Sequence, residues 1–140
     1  MKHPVDSGIY SGAASLTIRG EDLNFDEISK KLNVQPTKCL KKGEMISSSG
    51  AIMSTDFWTY KVKLKDSNPV SPLMKLIFDL EPNMGYIHHL SDIGYGVSLR
   101  LYYQSEAAQI YFEIPSDLQS LIAKFKVRLE VSILSWGGAV

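Results

Sequence analysis

Residues 57–64 read Phe-Trp-Thr-Tyr-Lys-Val-Lys-Leu, and this stretch decides the fold class. From Trp58 to Leu64 every second residue is apolar, and the residues between them are Thr59 and two lysines. Because successive side chains of a strand point to opposite faces of a sheet, this alternation predicts a β-strand with one buried face and one polar face.

Four further stretches alternate in the same way and are predicted as strands. They cover residues 14–19, 97–103, 109–114 and 127–133. The segment around Ser105 that separates the second from the third is short and polar, which predicts a β-hairpin. Five strands with one apolar face each indicate a sheet that carries its helices on one side.

Helices are predicted where apolar residues recur three or four positions apart. These stretches cover about residues 24–33, 71–81, 84–93 and 116–125. Asn24 and Ser116 each stand three residues before a glutamate or a glutamine, which is the spacing of a capping box. Pro82 and Gly94 are expected to end the second and the third helix.

The predicted element order is β-α-β-α-α-β-β-α-β within a single domain of residues 1–140. We expect an α+β two-layer sandwich, partly ferredoxin-like, with a five-stranded, mostly antiparallel sheet and helices on one face. Residues 1–12 are expected to form an N-terminal tail. Residues 36–56 contain Pro36, two glycines and several serines without a convincing period, so they are predicted as a long loop.

Composition excludes several classes of protein. Hydrophobic residues make up 44% of the 140 residues, which is too much for a disordered chain. Fifteen Lys and Arg balance fifteen Asp and Glu, so no global field favours nucleic acid or an acidic membrane. The single cysteine, Cys39, cannot form an internal disulfide, and the sequence contains neither a signal-peptide core nor an apolar run of membrane-spanning length. We therefore expect a cytoplasmic protein.

Five short segments share a pattern with one known family. They are residues 32–37 (Leu-Asn-Val-Gln-Pro-Thr), Lys42-Gly43, Trp58 at the start of its strand, residues 80–83 (Leu-Glu-Pro-Asn) and residues 94–97 (Gly-Tyr-Gly-Val). This pattern resembles the bacterial family known as domain of unknown function 4279, over about residues 14–134. The resemblance implies a bacterial source and a small stand-alone α+β protein, and it brings no established activity.

The first candidate binding site is a lysine-rich segment that runs from the end of the first predicted helix into the predicted loop. Five lysines face one glutamate between residues 30 and 44, a local excess of four positive charges. Lys41 and Lys42, with backbone amides near Gly43, are candidates to hold an anion, and the Thr37 hydroxyl is a candidate ligand contact. The alternative is that the lysines meet the dipole at a helix C-terminus and that Thr37 bonds to nearby backbone groups.

Aromatic residues form the second group of candidates. Trp58 offers area and a hydrogen-bond donor to a ligand, but its inward register equally fits core packing. Tyr102 and Tyr111 fall on the outward register of the predicted hairpin. There they would either form a protein interface, where tyrosine is enriched, or stabilise the hairpin as a cross-strand pair.

Known catalytic and metal-binding patterns do not occur in the sequence. It contains no phosphate-binding glycine motif, no nucleophile elbow and no zinc-protease motif, and His88 with Asp92 supplies only two metal ligands. Lysines around Cys39 would lower its pKa, yet no histidine follows at a catalytic spacing. We therefore predict no catalytic residue, no metal and no cofactor.

Together these features favour a non-enzymatic protein-binding module, of an immunity or regulatory type, that uses the outer sheet face or the loop 36–56. The partner is expected to be another protein rather than nucleic acid or a membrane. The alternative function is a sensor of a small anionic ligand, or an enzyme without a known motif, that uses the basic loop 38–43.

Overall fold

The computed structural model describes residues 9–46, 49–107 and 109–135. Within these ranges the chain forms five strands and four α-helices. The strands are β1 (Ile9–Gly20), β2 (Lys38–Leu40), β3 (Asp56–Lys63), β4 (Gly96–Ser105) and β5 (Arg128–Ser135). The helices are α1 (Phe25–Leu32), α2 (Ser71–Leu80), α3 (Met84–Asp92) and α4 (Ser116–Phe125), and a 3-10 turn, Glu81–Asn83, joins α2 to α3.

The strands form one mixed sheet in the order β2-β3-β1-β4-β5. β1 is antiparallel to β3 and to β4, and β2 is antiparallel to β3. β5 is parallel to β4. A parallel pair needs a crossover connection, and α4 lies in the connection between these two strands.

One face of the sheet carries the core. Leu16 and Ile18 of β1, Trp58 of β3 and Leu99 of β4 are fully buried on it. α2 packs against β1 and β3, and α3 packs against β4. One apolar cluster joins buried residues of all four helices to these strands. The predicted fold class, a two-layer α+β sandwich with a mostly antiparallel sheet, is therefore confirmed.

The observed helix ends agree in part with the predicted capping and terminating residues. The Asn24 side chain accepts the backbone N–H of Glu27 at 3.1 Å, so the first predicted cap is confirmed. α2 ends at Leu80, just before the turn that holds Pro82. The second predicted cap is wrong, because α4 already includes Ser116 and its N-cap, Pro115, makes no side-chain cap hydrogen bond.

The predicted hairpin is wrong, because residues 109–114 do not form a strand. The edge of β4 that this hairpin would use is taken by β5. Phe112 and Ile114 pack against the core instead, and the ring centroid of Phe112 lies 5.0 Å from that of Tyr103. The alternation of this stretch therefore reflects burial without strand pairing.

The fifth strand, β2, comes from the predicted loop 36–56, so the observed order is β-α-β-β-α-α-β-α-β. The same loop contains an isolated bridge between Met45 and Ile52, and residues 47 and 48 lie outside the described ranges. β1 begins at Ile9, so residues 9–12 of the predicted tail belong to the sheet, whereas residues 1–8 are not described. No helix in the described ranges has the length and hydropathy needed to cross a bilayer.

Candidate functional site

The sheet face opposite the helices is open and concave, and it forms a depression of about 650 Å³. Residues from all five strands line it, together with one residue that precedes β2. The lining residues are Ala13, Ser15, Thr17, Arg19, Thr37, Lys38, Phe57, Thr59, Lys61, Gly96, Ser98, Arg100, Tyr102, Arg128 and Glu130. We call this set the open face.

Strand register aligns a row of hydroxyl side chains across the middle of the open face. Thr59, Thr17 and Ser98 stand opposite one another on β3, β1 and β4. The row continues to Lys38 on β2 and to Arg128 on β5. Four strand spacings of about 4.8 Å separate its two cationic ends by roughly 19 Å at the backbone. We call these five residues the hydroxyl row.

The hydroxyl groups at the centre of the open face are buried. Ser15, Thr59 and Ser98 are 7%, 6% and 8% exposed, respectively. The Thr59 Oγ1 donates to the carbonyl oxygen of Leu16 at 3.1 Å and lies 3.3 Å from the Thr17 Oγ1. These residues therefore lie at the bottom of the depression, and the longer side chains form its rim.

Basic side chains dominate that rim. The cationic residues of the open face are Arg19, Lys38, Lys61, Arg100 and Arg128, and its single carboxylate belongs to Glu130. Five positive charges and one negative charge give a local excess of four, whereas the net charge of the whole chain is zero. A concave surface with one sign of charge attracts partners of the opposite sign.

Some of these cations already have partners within the chain. The Nε atoms of Arg100 and Arg128 lie 3.7 and 3.9 Å from the Glu130 carboxylate. Such exposed pairs contribute only about 0.2–1 kcal/mol each, so they hold the guanidinium groups weakly. Lys38 and Lys61 form no ion pair with any residue that the structure describes.

The predicted anion site at the basic loop is occupied by the chain itself. The Lys42 N–H donates to Oδ1 of Asp56 at 2.8 Å, and the Gly43 N–H donates to a backbone carbonyl at 2.9 Å. The Lys41 Nζ lies 3.6 Å from Oδ2 of Asp56 and 4.5 Å from the ring centroid of Phe25. Because both amides are already bonded, the loop has less support as an anion site than the open face.

Asp56 holds this loop in place, although no local sequence pattern distinguishes it. Its carboxylate is buried and also accepts the N–H of Leu23 at 3.0 Å. The hydrogen bond from the Lys42 N–H, with help from Leu23 and the Lys41 ammonium, lowers the pKa of Asp56 below its ordinary value of 3.8, although burial acts in the opposite direction. Asp56 therefore joins the start of β3 to two connections and has a structural role.

Thr37 and Trp58 make structural contacts within the chain, which were the alternatives to ligand binding. The Thr37 Oγ1 accepts the backbone N–H of Lys61 at 2.8 Å and so supports the β2–β3 pairing, although the residue also lines the open face. Trp58 is fully buried on the core side, where its Nε1–H donates to the Ser29 Oγ at 3.1 Å. Its ring is therefore not exposed to a ligand.

Of the two predicted outward tyrosines, Tyr102 lines the open face and Tyr111 does not. The Tyr102 hydroxyl accepts an N–H of the Gln104 side chain at 2.8 Å. Tyr111 lies outside the sheet, is 48% exposed and donates to the Glu113 carboxylate, a bond that raises the pKa of Tyr111. Since the hairpin does not form, the two tyrosines are not cross-strand neighbours.

Cysteine and histidine take structural positions. Burial of the Cys39 thiol, followed by the nearby Asp26 charge, raises its pKa. The expected lowering by lysines is therefore wrong, since Lys41 acts in that direction but is outweighed. The His88 Nε2 lies 2.7 Å from the carbonyl oxygen of Lys124 and links α3 to α4. Within the described ranges no group of three or more potential ligands could hold a metal.

The hydroxyl row is not recognisable as a unit in the sequence. Its members on β1 and β3 were visible as polar residues on the outward positions of two alternating strands. What was not visible is the strand order and register, which bring Lys38 and Arg128 to the two ends of one row.

The comparison with known proteins gives one match. A family model described as Domain of unknown function (DUF4279) matches residues 9–136, which contain every strand and helix of the fold. No curated protein and no solved structure matches the chain.

Proposed function

The chain belongs to the family described as Domain of unknown function (DUF4279), a description that assigns no activity, and from the geometry of the open face we propose that it is a non-enzymatic protein-binding module. The open face would hold an acidic surface of the partner protein. The observation that carries this proposal is the excess of four positive charges on one concave face of a chain whose net charge is zero.

The dimensions of the open face support a protein partner. Four strands of eight or more residues at roughly 3.4 Å per residue give a length near 27 Å over a width near 14 Å, and the three-residue β2 extends the width to near 19 Å at one end. The resulting area of roughly 440 Å² is about half of the 800 Å² or so that each partner contributes to a standard interface, which fits one segment of a partner protein. An extended acidic segment or a helix with acidic residues would fit into this depression.

The chemistry of the rim supports an acidic partner. An arginine guanidinium binds a carboxylate through two parallel hydrogen bonds, and Arg100 and Arg128 lie at diagonal positions of β4 and β5. The Glu130 carboxylate lies within ion-pair distance of both guanidinium groups, at 3.7 and 3.9 Å from their Nε atoms. A partner carboxylate would bind the same two guanidinium groups at hydrogen-bond distance.

The lining residues favour binding over catalysis. Ser15, Thr17, Thr59 and Ser98 supply hydroxyl groups, but the one carboxylate beside them is Glu130, which is paired with two arginines. A serine or threonine nucleophile needs an adjacent base to be activated. Hydroxyls among cations, without such a base in the described lining, are suited to holding an anion.

A sensor of a small anionic ligand is the second candidate. The volume of about 650 Å³ lies within the range of small-molecule sites, roughly 300–1,000 Å³. The hydroxyl row, with a cation at each end, is the feature that favours it. This candidate moves the predicted anion site from the basic loop 38–43 to the open face, and Lys38 belongs to both.

We further propose that the module is a bacterial, cytoplasmic protein of an immunity or regulatory type, which would act by masking or recruiting its acidic partner. The sequence resemblance supports the bacterial source alone.

A nuclear magnetic resonance titration tests where anions bind. The isotope-labelled chain is titrated with an oligoglutamate peptide, as a stand-in for an acidic protein surface, and separately with inorganic phosphate. An oligolysine peptide of the same length is the control. We expect the oligoglutamate peptide to shift amide signals of β1, β3 and β4, and we expect oligolysine to shift none of them.

The other outcomes distinguish the alternatives. Phosphate that reproduces the full pattern at the hydroxyl row would favour the small-ligand sensor. Shifts confined to Lys41, Lys42 and Gly43 would return the site to the basic loop. Equal responses to oligoglutamate and oligolysine would contradict an electrostatic site on the open face.

A further inference from the structure

One edge of the sheet is long, and its second half carries no charge. β5 is the last strand in the sheet order, and its residues 131–135 contain neither proline nor a charged residue, whereas its first half holds Arg128 and Glu130. Outside the ladder with β4, the backbone hydrogen bonds of the described residues do not involve residues 129–134. Such an edge presents backbone donors and acceptors that can pair with another strand.

The opposite edge of the sheet, formed by β2, is protected against pairing with another strand. β2 has only three residues, it begins with Lys38, and Pro36 stands two residues before it. Short edge strands, lysine and proline are the devices that prevent edge pairing. The contrast between the two edges indicates that β5 is left available for pairing.

Apolar side chains extend along the second half of β5. Val131 is 53% exposed and Ile133 is 46% exposed, and their register with Leu101 and Tyr103 of β4 places them on the helix side of the sheet. Leu134, on the opposite side, is 48% exposed. These side chains would become more buried if another strand lay beside β5.

We propose that β5 pairs antiparallel with β5 of a second copy of this chain. The two-fold axis would pass midway between the two copies of Ser132, perpendicular to the sheet, so that Val131 of each chain faces Ile133 of the other. This register keeps the helix-side residues of both chains on one side, as an isologous interface requires. The product is a continuous ten-stranded sheet.

The charges of the chain favour a second copy as the occupant of the edge. The net charge is zero, so two copies approach without long-range repulsion. In the proposed register Glu130 faces Leu134 of the other chain, so no like charges stand opposite one another. Val131 and Ile133 of one copy would lie against Ile133 and Val131 of the other. A different partner would need apolar residues at the same two positions of its own strand.

The pairing also has a consequence for binding. Because the axis is perpendicular to the sheet, the open faces of both copies would lie side by side on the same surface. A partner with two acidic segments would then bind bivalently and more tightly than one site allows. The pairing itself does not depend on the proposed function, and its test needs no partner.

Sedimentation or light scattering over a range of concentrations tests the pairing. The full chain is expected to reach twice the mass of one chain. Val131→Lys/Ile133→Lys is expected to have the mass of one chain, while Phe78→Lys, at an exposed position of α2, remains a dimer. A wild type that has the mass of one chain would overturn the proposal, even if it bound an added extended peptide. A dimer that survives the double substitution would overturn it as well.

Disulfide trapping tests the register without adding a charge to the edge. In a Cys39→Ser background, Ser132→Cys places two thiols opposite each other, about 4.5–5.5 Å apart at their Cα atoms, which a disulfide can span. Leu134→Cys on the same side is the control, since its two copies would be roughly 13 Å apart. Rapid oxidation of Ser132→Cys alone to a covalent dimer is expected. Equal oxidation of both variants, or of neither, would contradict the register.

Discussion

The carboxylate of Glu130 lies 3.7 Å from the Nε of Arg100, at directly paired positions of β5 and β4. Glu130 is the one acidic residue that lines the open face, and its contacts with Arg100 and Arg128 are those that a partner carboxylate would make. An acidic partner, as proposed, would therefore have to compete with Glu130 for the same guanidinium groups.

Glu130→Gln is predicted to strengthen the binding of an oligoglutamate peptide. The substitution removes the competing charge and raises the local excess of positive charge. The expected gain in affinity is a factor of about 1.5 to 5, the equivalent of one exposed ion pair. Fluorescence titration at low salt measures it, and a weaker affinity would show that Glu130 itself contacts the partner.

Asp56→Asn is predicted to lower the midpoint of thermal unfolding at neutral pH. Asparagine loses the ion pair with Lys41 and cannot accept both backbone N–H groups equally well. Asp22→Asn, an exposed position, is the matched control and is expected to unfold like the wild type.

The difference in stability between Asp56→Asn and Asp22→Asn is predicted to depend on pH. The folded pKa of Asp56 is lower than its unfolded value, so its contribution is complete above about pH 4 and is lost as the pH falls through the folded pKa. Denaturant unfolding at a series of acidic pH values should therefore show a shallower loss of stability for Asp56→Asn than for Asp22→Asn. Parallel curves would contradict the assigned role.

Tyr103 is predicted to limit stability in alkali. Its buried hydroxyl donates to the carbonyl oxygen of Pro69, and burial raises its pKa to about 12. The stabilisation is complete below the ordinary pKa of 10 and is lost as the pH rises towards 12. Tyr103→Phe should cost about 0.5–1.5 kcal/mol of unfolding free energy at neutral pH.

Denaturant unfolding at neutral pH and at about pH 11 measures this effect. The difference between Tyr103→Phe and the wild type should shrink in alkali. Part of the alkaline loss should remain in the variant, because burial and the Asp79 hydrogen bond also raise the pKa of Tyr60 to about 12. A constant difference would show that Tyr103 does not ionise in this range.

Trp58 is predicted to affect stability and not binding. Trp58→Ala should cost about 3–5 kcal/mol of unfolding free energy, the usual loss for a large buried aromatic residue. Trp58→Phe keeps the core filled in part and loses the hydrogen bond to Ser29. This variant should bind the oligoglutamate peptide like the wild type in a fluorescence-polarisation assay. A folded Trp58→Phe that no longer binds would place the ring in the site.

Much of the fold could be predicted because burial is visible in the sequence. The alternation of residues 57–64 identified β3 and the inward position of Trp58, and helical spacing identified all four helices. The same signal failed for residues 109–114, where Phe112 and Ile114 are covered by the core without joining the sheet. Alternation records which side chains are buried and not which backbone groups are paired.

The candidate site was less predictable because it depends on long-range pairing. Lys38 and Arg128 are 90 positions apart in the sequence and reach one row only through the order β2-β3-β1-β4-β5. The basic loop, by contrast, was conspicuous as a local run of lysines. Its amides are bonded by Asp56 and by backbone groups, which a local pattern cannot reveal.

The most direct test of the open face as an acidic-partner site is the affinity for the oligoglutamate peptide after charge reversal. Lys61→Glu/Arg100→Glu changes two residues of the open face, and Lys30→Glu/Lys124→Glu makes the same change of charge on two exposed residues of α1 and α4. Thermal unfolding checks that both variants remain folded, since each control lysine also loses a helix-dipole contact of about 0.3–1 kcal/mol. We predict that the open-face variant binds roughly tenfold or more weakly at low salt, whereas the control keeps the affinity of the wild type. Equal loss in both variants, or no loss in the open-face variant, would contradict the account.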